Sequence, residues 1–351
     1  MFWKIVLFCW NFFFPSKITL VKKRIIIAKV NQIGDVTFSL PLASAIKRAE
    51  PTATIIFLGR GYTKELIEAY KDVDEFANWD ELKHTGLSCL KADIILNITQ
   101  DTMAYQAGFT ADIPVRIGTL RKRATWLTCT HWVNFSRNNS TLHETQLDMK
   151  YLKPLGLKWE YTLPEIVSLR NFKPIQRTSP FLELLSSSKF NLILHPKTRG
   201  NHQEWPVEHF QALINGLPKE RYNIFITGST EEVSTLRSNG HDVHNLTGKT
   251  SLNDLVELIA YADGLIAAST GPVHLAANLN KWTLGLYTQK KPQYACRWGP
   301  VGNHKIIVRT APMYCKYCKK NRMDICECLS SILPDEVFKV IDSWTIEPLK
   351  P

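Results

Sequence analysis

Short, continuous apolar runs alternate with stretches of helical period along most of this chain. Ile25-Ile26-Ile27-Ala28-Lys29-Val30 reads as a buried strand. It is followed by a helical pattern over residues 36–49, a strand over 54–58, a helix over 62–70 and a strand over 92–98. Strands of this kind, alternating with helices, predict βαβ units and a parallel, doubly wound sheet. The character changes over residues 150–188, where Pro154, Pro164, Pro174, Pro180 and Ser186-Ser187-Ser188 interrupt any sustained period. That stretch reads as a connection with one short helix. A second series then begins, with strands over 190–195, 222–227, 264–268 and 282–287. Its helices are expected over 206–217, 231–237, 251–261 and 273–278, and the tail carries one more over 335–344. The pattern therefore predicts an α/β chain of two Rossmann-like domains, residues 1–165 and 166–351, with no internal repeat.

Length and composition agree with two cores, since 351 residues exceed what one core usually organises and 44% are hydrophobic. The net charge of +11 points to an anionic partner. No zinc finger, RNA-binding aromatic signature or basic-region helix accompanies it, which argues against nucleic acid. Residues 1–14 are apolar and aromatic but contain Lys4 and Asn11. They are too few to span a bilayer, which takes about 20 residues, and the flanks are not those of a signal peptide. They suit an interfacial anchor beside Lys17, Lys22, Lys23 and Arg24, or an arm packed on its own domain. Cys315, Cys318, Cys326 and Cys328 form a CxxC and a CxC pair, open to metal binding or to structural roles.

Candidate chemistry collects where strands end and helices begin, the place where open α/β sheets bind ligands. Asn31-Gln32-Ile33-Gly34-Asp35 leaves the first strand with a single Gly, and no GxGxxG or GxxxxGK[ST] loop occurs. Dinucleotide and P-loop readings are therefore poor. Asp35 suits either helix capping or service as a general base. In the second domain Ser269-Thr270-Gly271-Pro272 precedes a helix, so backbone N–H groups and the helix dipole favour an anion there. An ordinary Ser/Thr cap would look the same, and His274 could pack or cap. His195-Pro196-Lys197-Thr198-Arg199 leaves another strand with two cations and a hydroxyl, fit for a diphosphate or for a solvated loop. Asp72-Val73-Asp74 matches the DxD metal pattern of some sugar transferases, but so short a match in a polar turn carries no weight.

Taken in order, these segments resemble the ADP-heptose:lipopolysaccharide heptosyltransferases of glycosyltransferase family 9. The resemblance rests on the opening strand and its Asn31 to Asp35 turn, His195 to Arg199, Trp205-Pro206, Thr227-Gly228 and Leu246-Thr247-Gly248. It continues through Thr270-Gly271-Pro272-Val273-His274-Leu275-Ala276-Ala277, Arg297-Trp298-Gly299-Pro300 and the segment from Cys315 to Cys328. It implies a GT-B architecture, two Rossmann-like domains facing across a cleft, and an inverting transfer without metal or cofactor. The donor would be a nucleotide-diphosphate sugar, ADP-heptose, and the acceptor the lipid A–core. The enzyme would act as a peripheral protein at the cytoplasmic face of the inner membrane.

By position Asp35 would be the base, with Asn31, Gly34, Arg121 and Arg123 on the acceptor side. Lys197, Thr198, Arg199, Ser269, Thr270, Gly271, Pro272 and His274 would hold the donor, with Glu231 or Glu232 near the nucleoside. Two positions depart from the family pattern: Ser269 stands where Asp is usual before Thr-Gly, and Gln203 where many members have Lys before Trp-Pro. They motivate an alternative, a nucleotide-sugar or core-binding protein that keeps the fold without the chemistry. A nucleotide-sugar epimerase is disfavoured by the missing dinucleotide fingerprint.

Overall fold

The computed structural model describes residues 18–137, 139–198, 203–230, 236–290, 294–302, 305–311 and 328–346. Arg199, Glu231, Glu232, the apolar arm and Cys315, Cys318 and Cys326 lie outside the described residues, as does most of the helix expected over 231–237. The chain divides into two compact units between Pro174 and Ile175. Residues 166–174 stay with the first because Tyr70 Oη donates to the Leu169 carbonyl (3.1 Å) and Asn171 Nδ2 to Asp72 (3.0 Å). Beyond the division, Thr178 and Ser179 bond through their N–H groups to Glu257 (both 2.7 Å), within the second unit.

Each unit is built on a six-stranded sheet whose described pairings are all parallel. The first contains β1 (Arg24–Ala28), β2 (Thr54–Gly59), β3 (Glu75–Asn78), β4 (Ile94–Asn97), β5 (Val115–Thr119) and β6 (His131–Val133), in the order β3-β2-β1-β4-β5-β6. The second contains β7 (Phe190–His195), β8 (Tyr222–Ile226), β9 (Asp242–Asn245), β10 (Gly264–Ala268), β11 (Trp282–Tyr287) and β12 (Ile306–Thr310), in the order β12-β11-β10-β7-β8-β9. Both follow the Rossmann plan, with the order reversing between β1 and β4 and between β7 and β10. Strands beside these reversals are buried on both faces, so β1, β7 and β10 read as mainly apolar runs, with Asn191 the interruption in β7. The edge strands β3, β9 and β12 are only partly buried; β3 and β9 carry no apolar run, and β12 only the short Ile306-Ile307-Val308.

The helix expected over 36–49 is two, Ile33–Ser39 and Pro41–Ala49. Pro41 lacks an N–H to continue the first ladder but suits the first turn of the second helix. In the second unit the C-terminal helix Pro334–Ile341 packs on helix Val207–Gly216 and carries Trp344 into the core. There Trp344 stacks on Trp282, with ring centroids 5.8 Å apart. Gly264 makes room for it, since a Cβ at that position would lie 2.8 Å from Trp344 Cζ3.

Candidate active site

The segment leaving β1 reaches the carboxyl edge of the first sheet at its reversal point, next to the end of β4. Asp35 sits there in the first turn of helix Ile33–Ser39, one of the places where a helix favours negative charge. The capping reading of Asp35 does not hold. Gln32 occupies the cap position, without a side-chain cap bond, and the Asp35 carboxylate instead faces Lys29 Nζ at 3.7 Å.

Lys29 directly follows β1 as a charged residue between apolar neighbours, and its side chain is only 2% exposed. Its ammonium bonds to Asp148 Oδ2 at 3.0 Å, and Ser39 Oγ donates to the same oxygen at 2.7 Å. Asp148 is fully buried on helix Glu144–Met149. Arg137 closes the network, with Nη2 3.0 Å from Asp148 Oδ1 and Nε 2.8 Å from Glu144 Oε1. Two cations thus face three carboxylates, leaving one negative charge in excess if all ionise.

That imbalance shows in the proton affinities. Burial raises the pKa of Asp35; Lys29 opposes the rise, while Asp148 and Glu144 reinforce it. For Arg137, burial works against the charged form, but Glu144 and Asp148 outweigh it and hold the guanidinium firmly protonated. Asp35, with 24% of its side chain exposed, is the most exposed of the three carboxylates. A solvent-reached carboxylate of raised proton affinity, backed by a buried cation, is well made to accept a proton.

Neighbouring expected residues are placed unequally. Asn31 is partly buried beside this turn, and its Oδ1 is buried without a hydrogen-bond partner among the described residues. The Gly34 carbonyl accepts from Thr37 Oγ1 at 2.6 Å, so Gly34 contributes backbone shape. Arg121 and Arg123 are exposed just past β5. Arg116 is committed elsewhere, donating to the Thr128 and Ile113 carbonyls (2.6 and 2.5 Å). Asp72 and Asp74 are likewise taken by protein donors, Ser44 and Asn171 for the first and Lys47 and the Ile55 N–H for the second.

The reversal point of the second sheet brings the ends of β7 and β10 side by side. Helix Gly271–Asn278 starts there with Pro272 in its first turn and Thr270 as its cap residue, and no side chain caps it. Thr270 Oγ1 turns back to the Ala268 carbonyl at 3.4 Å, so the Ser/Thr-cap reading of this turn fails. Ser269 hydrogen-bonds through its side chain with Tyr287, whose own hydroxyl donates to the Trp298 carbonyl at 2.8 Å. His274 lies in the first turns of that helix and is buried.

After β7, His195 Nδ1 lies 2.9 Å from Thr227 Oγ1. Lys197 is paired with Glu204 at 2.9 Å, and the same carboxylate accepts the Thr198 N–H at 2.8 Å. Glu204 was missed from sequence, as were Arg137, Glu144 and Asp148, because no local pattern marks them. Lys29 did carry a signal: a charged residue between apolar neighbours, directly after a buried strand, needs a partner.

Paired Rossmann-like units with such groups at both reversal points define the GT-B class of glycosyltransferases. A family profile, glycosyltransferase family 9 (heptosyltransferase), matches residues 86–328. The chain belongs to that family and is a glycosyltransferase. It is 28% identical over 122 residues to lipooligosaccharide heptosyltransferase 2 of Haemophilus influenzae, covering 31% of this chain and only 33% of that relative. To the lipopolysaccharide core heptosyltransferase OpsX of Haemophilus influenzae it is 22% identical over 307 residues, covering 82% of this chain and 84% of the relative. Its fold is similar to that of E. coli heptosyltransferase WaaC with ADP, at a TM-score of 0.68 and 17% identity, covering 91% of this chain and 99% of the other.

Proposed function

We propose that this protein transfers a heptose or related sugar from a nucleotide-diphosphate donor to the lipopolysaccharide inner core, at the cytoplasmic face of the inner membrane. The observation that carries the reading is Asp35, a solvent-reached carboxylate of raised proton affinity at the reversal point of the first sheet. In this scheme Asp35 accepts the proton of an acceptor hydroxyl, whose oxygen then bonds to the anomeric carbon of the donor sugar. The bond from that carbon to the diphosphate oxygen breaks in the same displacement, so the configuration inverts. The departing diphosphate gathers negative charge, which the N-terminus of helix Gly271–Asn278 and the Lys197 side chain would meet without a metal.

Nucleotide preference for ADP is supported by family membership and by the nucleotide named for the E. coli structure. The Lys197–Glu204 pair favours a second reading, a binding protein without turnover, since the cation meant for the diphosphate already has a carboxylate partner. The test is purified protein with ADP-heptose and a lipid A–core acceptor. Asp35→Asn should lose at least about 100-fold in transfer while keeping nucleotide affinity, as loss of a general base predicts. Transfer by Asp35→Asn at the wild-type rate would remove Asp35 from the reaction. Nucleotide binding by the wild-type protein with no turnover on any acceptor would establish the second reading.

A further inference from the structure

Beyond the reacting groups, the first sheet's carboxyl edge carries an uncovered rim. Helices Thr102–Thr110 and Arg123–Thr128 leave this edge after β4 and β5 and pack against each other. They leave Met103 53%, Trp126 50% and Leu127 82% exposed, an unusual outlay of large apolar side chains. The Trp126 indole N–H donates to the Leu120 carbonyl at 2.8 Å, so its ring lies along the loop that presents Arg121. Arg121 and Arg123 are exposed in the same turn. Lys122 between them is turned inward, donating to the Gln100 carbonyl at 2.7 Å and lying 5.5 Å from the Tyr105 ring centroid.

We propose that this rim docks on an anionic phospholipid surface. Aliphatic and indole side chains flanked by arginines are the composition that sits at a headgroup layer, with the apolar groups entering the acyl boundary and the guanidinium groups meeting phosphates. A nucleic-acid surface would have no use for a leucine so far out in water. No helix among the described residues is long and apolar enough to cross a membrane, so attachment through them is to the surface. The rim lies on the sheet edge that carries Asp35, and on the function proposed above this would bring a membrane-borne acceptor to the base.

The test is co-sedimentation of the full chain with vesicles of phosphatidylglycerol and phosphatidylethanolamine, beside vesicles of phosphatidylcholine alone. Binding should require the anionic lipid and weaken with salt. Leu127→Ser should weaken it about tenfold, the effect of one lost leucine insertion, while Leu127→Phe keeps it. Arg121→Gln and Arg123→Gln should each weaken it roughly fivefold. Vesicle binding unchanged in Leu127→Glu would overturn the proposal, whether the apolar arm or another surface then did the binding. So would equal binding to phosphatidylcholine, or displacement from vesicles by an oligonucleotide. Transfer to a soluble, deacylated core acceptor should not change in Leu127→Glu. Absence of such transfer in the wild-type protein would count against the function and leave the vesicle result standing.

Discussion

Replacing Lys29 by Met should move the acid limb of the pH–rate profile upward. The Lys29 ammonium stands 3.7 Å from Asp35 Oδ1 and is itself only 2% exposed, so little water separates the two charges. At that distance a unit pair interacts by about 1 kcal/mol in bulk water and about 4 kcal/mol at the effective dielectric of a protein site. These limits correspond to roughly 1 to 3 pH units. Because 24% of the Asp35 side chain meets solvent, the expected shift lies near the lower limit.

The sign follows from the role of the group. Asp35 has a raised pKa, and in the proposed scheme it accepts a proton only when ionised, so kcat/KM should rise with pH as it deprotonates. Loss of the cation that opposes the rise pushes this limb higher, and the rate recovers at still higher pH. Asp148→Asn removes a charge that raises the pKa, so its limb should move the other way. The same rise makes the Asp35 contribution to stability complete below the ordinary carboxylate range and lost as pH climbs through its folded pKa. The assay is nucleotide release with donor and acceptor across pH for all three proteins, with a thermal melt at each pH. A Lys29→Met profile of unchanged limb and uniformly lower height would refute the reasoning, because Lys29 would then support structure and not the proton affinity of Asp35.

Other perturbations test the second unit. Trp344→Ala should destabilise it by about 3–5 kcal/mol in denaturant titration, the usual cost of truncating a buried tryptophan; a loss under about 1 kcal/mol would mean that the C-terminal segment is not part of its core. Glu204→Gln should tighten ADP binding by up to about fivefold in calorimetry, since it frees Lys197 from a partly exposed ion pair of modest worth. Weaker binding would show that Glu204 serves mainly to shape the loop through the Thr198 N–H.

What could be read along the chain was whatever depends on near neighbours in sequence. Strands β1, β7 and β10 lie inside their sheets and are mainly apolar on both faces, so each stands out along the chain, with Asp35, Lys197 and the Ser269 to Pro272 turn shortly after it. A strand end followed by a helix start is a local event, and the sequence by itself determined that these segments leave the carboxyl edges of their sheets.

Only the tertiary structure decided which strand ends lie side by side within each sheet and what surrounds the candidate groups. The half-exposed edge strands β3 and β9 lack the apolar run that would announce them, so the order of the sheets and their reversal points could not be counted out beforehand. Asp148 meets Lys29 across 119 residues of chain, and no periodicity couples positions so far apart. The Gly34-Asp35 turn thus came from sequence, whereas the proton affinity of Asp35 came from folding. Burial and the field of Lys29, Arg137, Glu144 and Asp148 act through space, and the chain brings those charges together only when it closes.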